Sequence, residues 1–416
     1  MHPAATKFTP FARLAWQASG YIIAAGVFLA AYIDWRPAAI LFTFSDLLFI
    51  VGAVALLFAS RMSLRPLGNS TAYWYFAVSV MLLGLFLGSM INGDPVRWLI
   101  ATIQYSFGLI ILPILLINQG QERTHLFARA QIAGVVMLEL GSIAMLVIFK
   151  GDYEELKIFG QEFVTGTGRL SSLLADPNWN AAVIAMTLPF LYYFRVRRLI
   201  GQFSFYFSLS ILFTALVLCA SVTGTVGAVL ASAIFVIVGR IRISRMLVLV
   251  AVASTALFIV SRSELPQAFQ NRVAPAFESG DLELAGTYTG RIALIREAWN
   301  MTGNTMIVGL GADQFRVVSV SKAPVHNLFL LLWTEGGLPA MLAWLALMGI
   351  LVSRASRAVR INRLDGAFAL SVFSAFFVFS AAAPHMYARM WVVPLFLALA
   401  PALALKEEKD FSRTRL

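Results

Sequence analysis

The chain has 416 residues, of which 59% are hydrophobic and only 13% charged, with a mean hydropathy of +0.79 and a formal net charge of +11. Soluble globular chains carry about 25% charged residues. Half that usage, with long uncharged runs, excludes an ordinary cytosolic enzyme, a disordered chain and a nucleic-acid binder, and it reads as an all-α polytopic membrane protein.

Apolar runs of about the length a bilayer crossing needs fall at 17–33, 38–59, 72–91, 98–117, 126–149, 179–194, 204–221, 223–239, 245–261, 326–352, 367–384 and 390–405. The spacing therefore predicts about 12 transmembrane helices in a single integral membrane domain, 1–416. The first run has no small-residue cleavage site and reads as a retained span. The stretch 204–239 is too long for one crossing, and Thr223-Gly224-Thr225 is the expected break. The single cysteine, Cys219, sits in an apolar run and excludes a disulfide within the chain.

Charge orients this ladder. With the N-terminus in the cytoplasm, 20 of the 32 basic residues fall on the inner side, in every short inner loop. That is the positive-inside bias, and it puts both termini in the cytoplasm. It also explains the net charge without a nucleic-acid partner. Two outer segments, 150–178 and 262–325, are too long to be simple connectors. In the second, RIALIREAWNMTGN reads as an amphipathic helix starting near Thr289, with Ile292, Ile295, Ala298 and Trp299 on one face. Thr287 or Thr289 could cap it, and Gly309-Leu310-Gly311 reads as a turn. Asp46 and Glu139 lie inside spans and read as helix-packing groups away from the outer face.

The candidate chemistry lies where these outer segments meet the spans. APVHNLFLLLWTEGGLPAMLAW places His326 and Asn327 at the head of a span, with Glu335, Gly336 and Gly337 following. Together with TGRIALIREAW and IVGLGADQF upstream, this resembles the O-antigen ligase and O-antigen polymerase superfamily. GRLSSLLADPNWNAAV is similar to an Arg then Asp-Pro-Asn segment of the same family. The motifs cover about 168–183 and 290–340.

The resemblance implies a bacterial inner-membrane glycosyltransferase with its active site in the periplasm. The donor would be an undecaprenyl-pyrophosphate-linked glycan. The acceptor would be a sugar hydroxyl of lipid A–core (ligase) or of a growing polysaccharide (polymerase). It further implies a metal-independent, inverting displacement without cofactor. His326 is the candidate base, with an ordinary pKa near 6.5 suited to proton removal; the bland alternative is a histidine satisfying backbone groups at a helix start. Arg291 matches the family's pyrophosphate arginine, and its guanidinium fork fits phosphate oxygens; its alternative is an ion pair with a neighbour such as Glu283. Arg169 and Arg389 are further substrate-binding candidates or interfacial anchors. Asn327 either orients the imidazole or caps the span. Glu335 either serves the substrate site or is a buried carboxylate bonded to a neighbouring helix.

One departure stands out. The family usually has an arginine near position 223, where this chain reads CASVTGTVGAV, so either Arg169, Arg272 or Arg389 substitutes or the donor is held differently. No metal site is expected: four histidines are scattered, and no Asp-x-Asp, P-loop or dinucleotide motif is present. Two other readings stay open: a protein O-oligosaccharyltransferase, and a transporter of polysaccharide or lipid-linked oligosaccharide. A transporter would place functional charges deep in the spans with repeat symmetry.

Overall fold

A computed structural model describes residues 9–36, 42–149, 157–158, 161–165, 168–241 and 288–413. The described part is a helical bundle, with one two-residue hairpin of β1 (Lys157–Ile158) and β2 (Gln161–Glu162). The helices are α1 (Pro10–Phe28), α2 (Phe44–Phe58), α3 (Thr71–Ile91), α4 (Pro95–Ser106), α5 (Leu112–Leu116), α6 (Gln121–Ile148), α7 (Pro177–Val196), α8 (Gln202–Leu218) and α9 (Val222–Gly239). After them come α10 (Tyr288–Met301), α11 (Phe315–Val318), α12 (Leu328–Ile361), α13 (Arg363–Ser380) and α14 (Arg389–Arg413).

Seven helical stretches are long and apolar enough to cross a membrane: Pro10–Ala31, Gly68–Ile91, Pro95–Leu116, Gln121–Ile148, Val222–Gly239, Leu328–Ile361 and Arg363–Ser380. Three more apolar helices are shorter: Phe44–Phe58, Gln202–Leu218 and Arg389–Ala404. The span expected at 245–261 and the part of the outer segment before Tyr288, 262–287, lie outside the described residues. Large apolar side chains such as Phe58, Tyr73, Val147 and Phe203 point outward. A lipid-facing surface tolerates this because hydrocarbon, unlike water, does not penalise it.

α7 is the central post. It is capped by Asp176, whose Oδ1 accepts the N–H of Asn178 at 2.6 Å, and it begins with Pro177 at the first helical position. Every residue from Asn180 to Leu191 is buried. α9 and α13 pack against it, and α12 packs along α3.

Prolines and glycines set the irregular places. Pro113 has no N–H to give to Leu109. The chain answers with a π-helical turn over Phe107–Ile111, and the Leu109 carbonyl instead accepts Trp74 Nε1 at 2.7 Å. The break between α8 and α9 falls at Cys219–Ser221, not at Thr223–Thr225 as the sequence suggested. Ala220 takes φ 45°, and the Ser221 hydroxyl caps α9 by accepting the Gly224 N–H at 3.1 Å. Thr223 and Thr225 thus belong to the first turn of α9.

α12 is broken at Gly337, with φ 76° and ψ 171°. A break inside a membrane-protein bundle is tolerated only where other groups satisfy the freed backbone. The Gly309-Leu310-Gly311 turn does so. Leu310 N–H donates to the Thr334 carbonyl at 2.8 Å, Gly311 N–H to the Glu335 carbonyl at 2.9 Å, and Leu338 N–H to the Met306 carbonyl at 3.0 Å. Close approach of α3 completes the joint. A Cβ on Gly88 would sit 2.6 Å from the Glu335 carbonyl oxygen and 2.7 Å from Gly311 N, so only glycine fits there.

Candidate functional site

Local caps bring four separate segments to one end of the bundle. The loop after β2 folds back on itself: Ser171 and Ser172 both donate backbone N–H to the Phe163 carbonyl at 3.1 Å, and it delivers Asp176, Asn178 and Trp179 at the head of α7. The cap at Ser221 sets Thr223. α10 presents Arg291, since Leu294 and Ala298, one and two turns further on, are the residues it buries. Trp299, expected on that buried face, is instead exposed and packs edge-on against Trp333. Thr287 as a cap lies outside the described residues. Finally, Asn327 caps α12 by accepting the Leu330 N–H at 3.1 Å, which holds His326 just ahead of the helix.

Arg291 and His326 line one small cleft with Asp176, Asn178, Trp179, Thr223, Phe379, Ala382 and Ala383. One wall is polar and charged; Trp179, Phe379 and the two alanines make the rest apolar. Burial, with help from the Arg291 charge, holds the His326 imidazole below its ordinary pKa, and Asp176 partly opposes this. The imidazole is therefore neutral and able to accept a proton at pH 7, beside a fixed guanidinium.

Arg169 stands behind this lining. Its Nη2 donates to Asn178 Oδ1 at 3.0 Å and its Nε to the Cys219 carbonyl at 2.9 Å. Ser221 Oγ donates to the same Asn178 oxygen at 2.9 Å. So Arg169 brings positive charge to the segment around 219–223, where this chain lacks the arginine that its resemblance led us to expect.

The remaining site candidates are elsewhere at this end. Asn327 is a cap. Arg389 is buried and bonded to Asp46 on α2 and Gln104 on α4. Glu335, 1% exposed, accepts the backbone N–H groups of Asp313 at 2.8 Å and Phe315 at 3.2 Å. The structure brings none of these three to the cleft lining. Asp46 and Glu139 were expected away from the outer face; both lie at the cleft end of the bundle. α2 starts only at Phe44, which puts Asp46 in its first turn, and the loop before α7 reaches in so that Ser172 and Asn180 bond Glu139 Oε2, each at 3.2 Å.

Sequence reasoning missed Asp176, Thr223 and Phe379 as lining residues. Asp176 reads only as part of the Asp-Pro-Asn segment, with no task of its own, and nothing in the sequence says that it faces a histidine 150 residues later. A larger cavity lies at the opposite end, but its two charged liners, Arg197 and Asp365, neutralise each other at 2.5 Å. Among the described residues no three His, Cys, Asp or Glu side chains are grouped to hold a metal ion.

Fold and site thus define a multi-pass helical membrane protein with a basic and histidine-bearing cleft at one end. Residues 207–345, 139 of the 416, match the family model described as O-Antigen ligase, and this supports the O-antigen ligase/polymerase superfamily for the chain. The family indicates an O-antigen ligase-like, glycosyl-transferring activity in surface-polysaccharide biosynthesis, with lipid-linked glycan and polysaccharide substrates in a membrane. No curated protein matches the chain.

Proposed function

We propose that the chain transfers a glycan from undecaprenyl pyrophosphate to an acceptor sugar hydroxyl, at the periplasmic face of the bacterial inner membrane. Both termini are cytoplasmic, and segments 150–178 and 262–325 are periplasmic. The acceptor is lipid A–core or the end of a growing polysaccharide. The observation that carries this reading is the cleft itself: a neutral imidazole, His326, and a guanidinium, Arg291, line one small space together with the Asp-Pro-Asn segment.

The chemistry is a single in-line displacement. His326 takes the proton of the acceptor hydroxyl as its oxygen attacks the anomeric carbon. The bond from that carbon to the phosphate oxygen breaks, and its electron pair leaves with undecaprenyl pyrophosphate. Arg291 meets the developing negative charge with a bidentate fork, and Arg169 adds positive charge from behind Asn178. The configuration inverts, and the proton passes from His326 to solvent. The negative charge that builds on the departing pyrophosphate is met by the guanidinium groups, which supply fixed positive charge without a metal ion.

The test uses the full chain in liposomes with lipid-linked donor and each acceptor, measuring donor consumption and glycan transfer with and without EDTA. Transfer that persists in EDTA supports the reading. An intact donor with both acceptors, or EDTA inhibition reversed by added metal, overturns the corresponding part of it.

A further inference from the structure

Glu335 and His385, two groups the transfer chemistry does not use, meet in the folded chain. His385 Nε2 faces Glu335 Oε2 at 3.4 Å, and His385 Nδ1 lies 3.0 Å from the Tyr105 hydroxyl. The side chains of His385 and Glu335 are 13% and 2% exposed, and Tyr105 is fully buried. Tyr387 stacks on the imidazole, with centroids 5.5 Å apart and planes inclined by 26°, and meets Tyr105 edge-on at 5.1 Å.

Glu335 already accepts two backbone N–H groups, one on each carboxyl oxygen. In the tautomer that turns Nε2–H toward Glu335, Nδ1 accepts from the Tyr105 O–H. Both nitrogens of His385 are thus fixed by protein partners on two different helices, α12 and α4.

His385 sits in the connection between α13 and α14, residues 381–388. Two and three residues before it, Ala383 and Ala382 form part of the cleft wall. Glu335 sits at the end of the short first segment of α12, whose head carries His326. We propose that His385 is a positioning residue: through Glu335 and Tyr105 it pins the 381–388 connection, and so holds the Ala382–Ala383 wall at a fixed distance from the His326 wall. The first segment of α12 is the strut between the two walls. The small residues at Ala382 and Ala383 make this distance matter, because a loosened connection opens the cleft rather than removing a contact.

The placement rests on geometry alone; its kinetic consequence rests on the proposed glycosyl transfer. Both are read together. Ala382→Cys supplies a reporter thiol, the native Cys219 being fully buried. In membranes, labelling by an impermeant maleimide is timed in this background and with His385→Ala, His385→Gln, Tyr105→Phe and Glu335→Gln added. Tyr105→Phe removes one oxygen and guards against simple misfolding. We expect labelling to quicken at least about fivefold in His385→Ala, the scale of one lost net hydrogen bond, and less in Tyr105→Phe, with His385→Gln recovering part of the restraint. Transfer by the same His385 variants should show a raised KM with a smaller loss of kcat, and an acid limb at the wild-type pH. Unchanged labelling in both His385→Ala and Tyr105→Phe overturns the proposal. So does loss of kcat together with the acid limb, which would make His385 the base. Faster labelling in a chain whose unsubstituted form transfers no glycan supports the placement and overturns the transfer reading instead.

Discussion

Arg169 Nη2 donates to Asn178 Oδ1 at 3.0 Å, so the first of the two sequence motifs holds its own asparagine in the cleft wall. Nε of the same guanidinium is bonded to the Cys219 carbonyl at 2.9 Å. Two bonds in different directions need a planar fork, which lysine lacks. We therefore expect Arg169→Lys, which keeps the charge but breaks the fork, to lose activity, and Arg169→Gln, which removes both, to lose at least as much. Charged hydrogen bonds are worth about 1.5–3 kcal/mol, so transfer should fall by roughly 10- to 100-fold in a protein that still inserts. Wild-type rates in Arg169→Gln would separate this arginine from the site.

Arg389 is bonded to Asp46 and Gln104, so it ties the last helix to α2 and α4. Removing one partner of a buried pair leaves the other charge unpaired, at a cost of about 3–5 kcal/mol. Arg389→Ala and Asp46→Ala should each lower the thermal unfolding temperature in detergent micelles. The double replacement Asp46→Leu with Arg389→Met should recover most of the loss. An Arg389→Ala chain of full stability that no longer consumes donor would return this arginine to the substrate, as the sequence motif suggested.

The sequence made the bundle legible because a span needs a continuous apolar run, and charge bias orders the loops. It was poorer at ends. α2 begins six residues later than its apolar run, since Thr43 and Asp46 form a reciprocal cap, and that shift alone moves Asp46 to the cleft end. Of the site, Arg291 and His326 were legible as motif residues, and they share the cleft. Asn327 and Glu335 were legible as candidates but not as to task. A cap and a backbone-bonded carboxylate are distinguished from ligand-binding groups only by what lies opposite, and in both cases that is a tertiary contact. The Arg389–Asp46 bond spans 343 positions, a distance no local pattern encodes.

The acid limb of transfer should lie below the ordinary histidine range. Burial and the Arg291 charge lower the His326 pKa, and the neutral form is the base. Activity is therefore full above that lowered pKa and falls as pH drops through it. Ordinary histidine, near 6.5, sets the upper bound. Replacing Arg291 by Gln removes one of the two lowering influences, so the limb of the residual activity should move to higher pH. A limb that moves to lower pH in Arg291→Gln would contradict the assigned neighbourhood.

The central claim is that His326 and Arg291 carry the chemistry of one cleft. It is tested most directly by purifying His326→Ala and Arg291→Ala and measuring transfer from lipid-linked donor under single-turnover conditions. The expected outcome is two folded proteins: His326→Ala slowed by a factor of roughly 10²–10⁴, the range for loss of a general base, and Arg291→Ala at least as impaired, with little restored by Arg291→Lys. Near-wild-type turnover in His326→Ala, from a correctly inserted protein, would contradict the account and move the reaction away from this cleft.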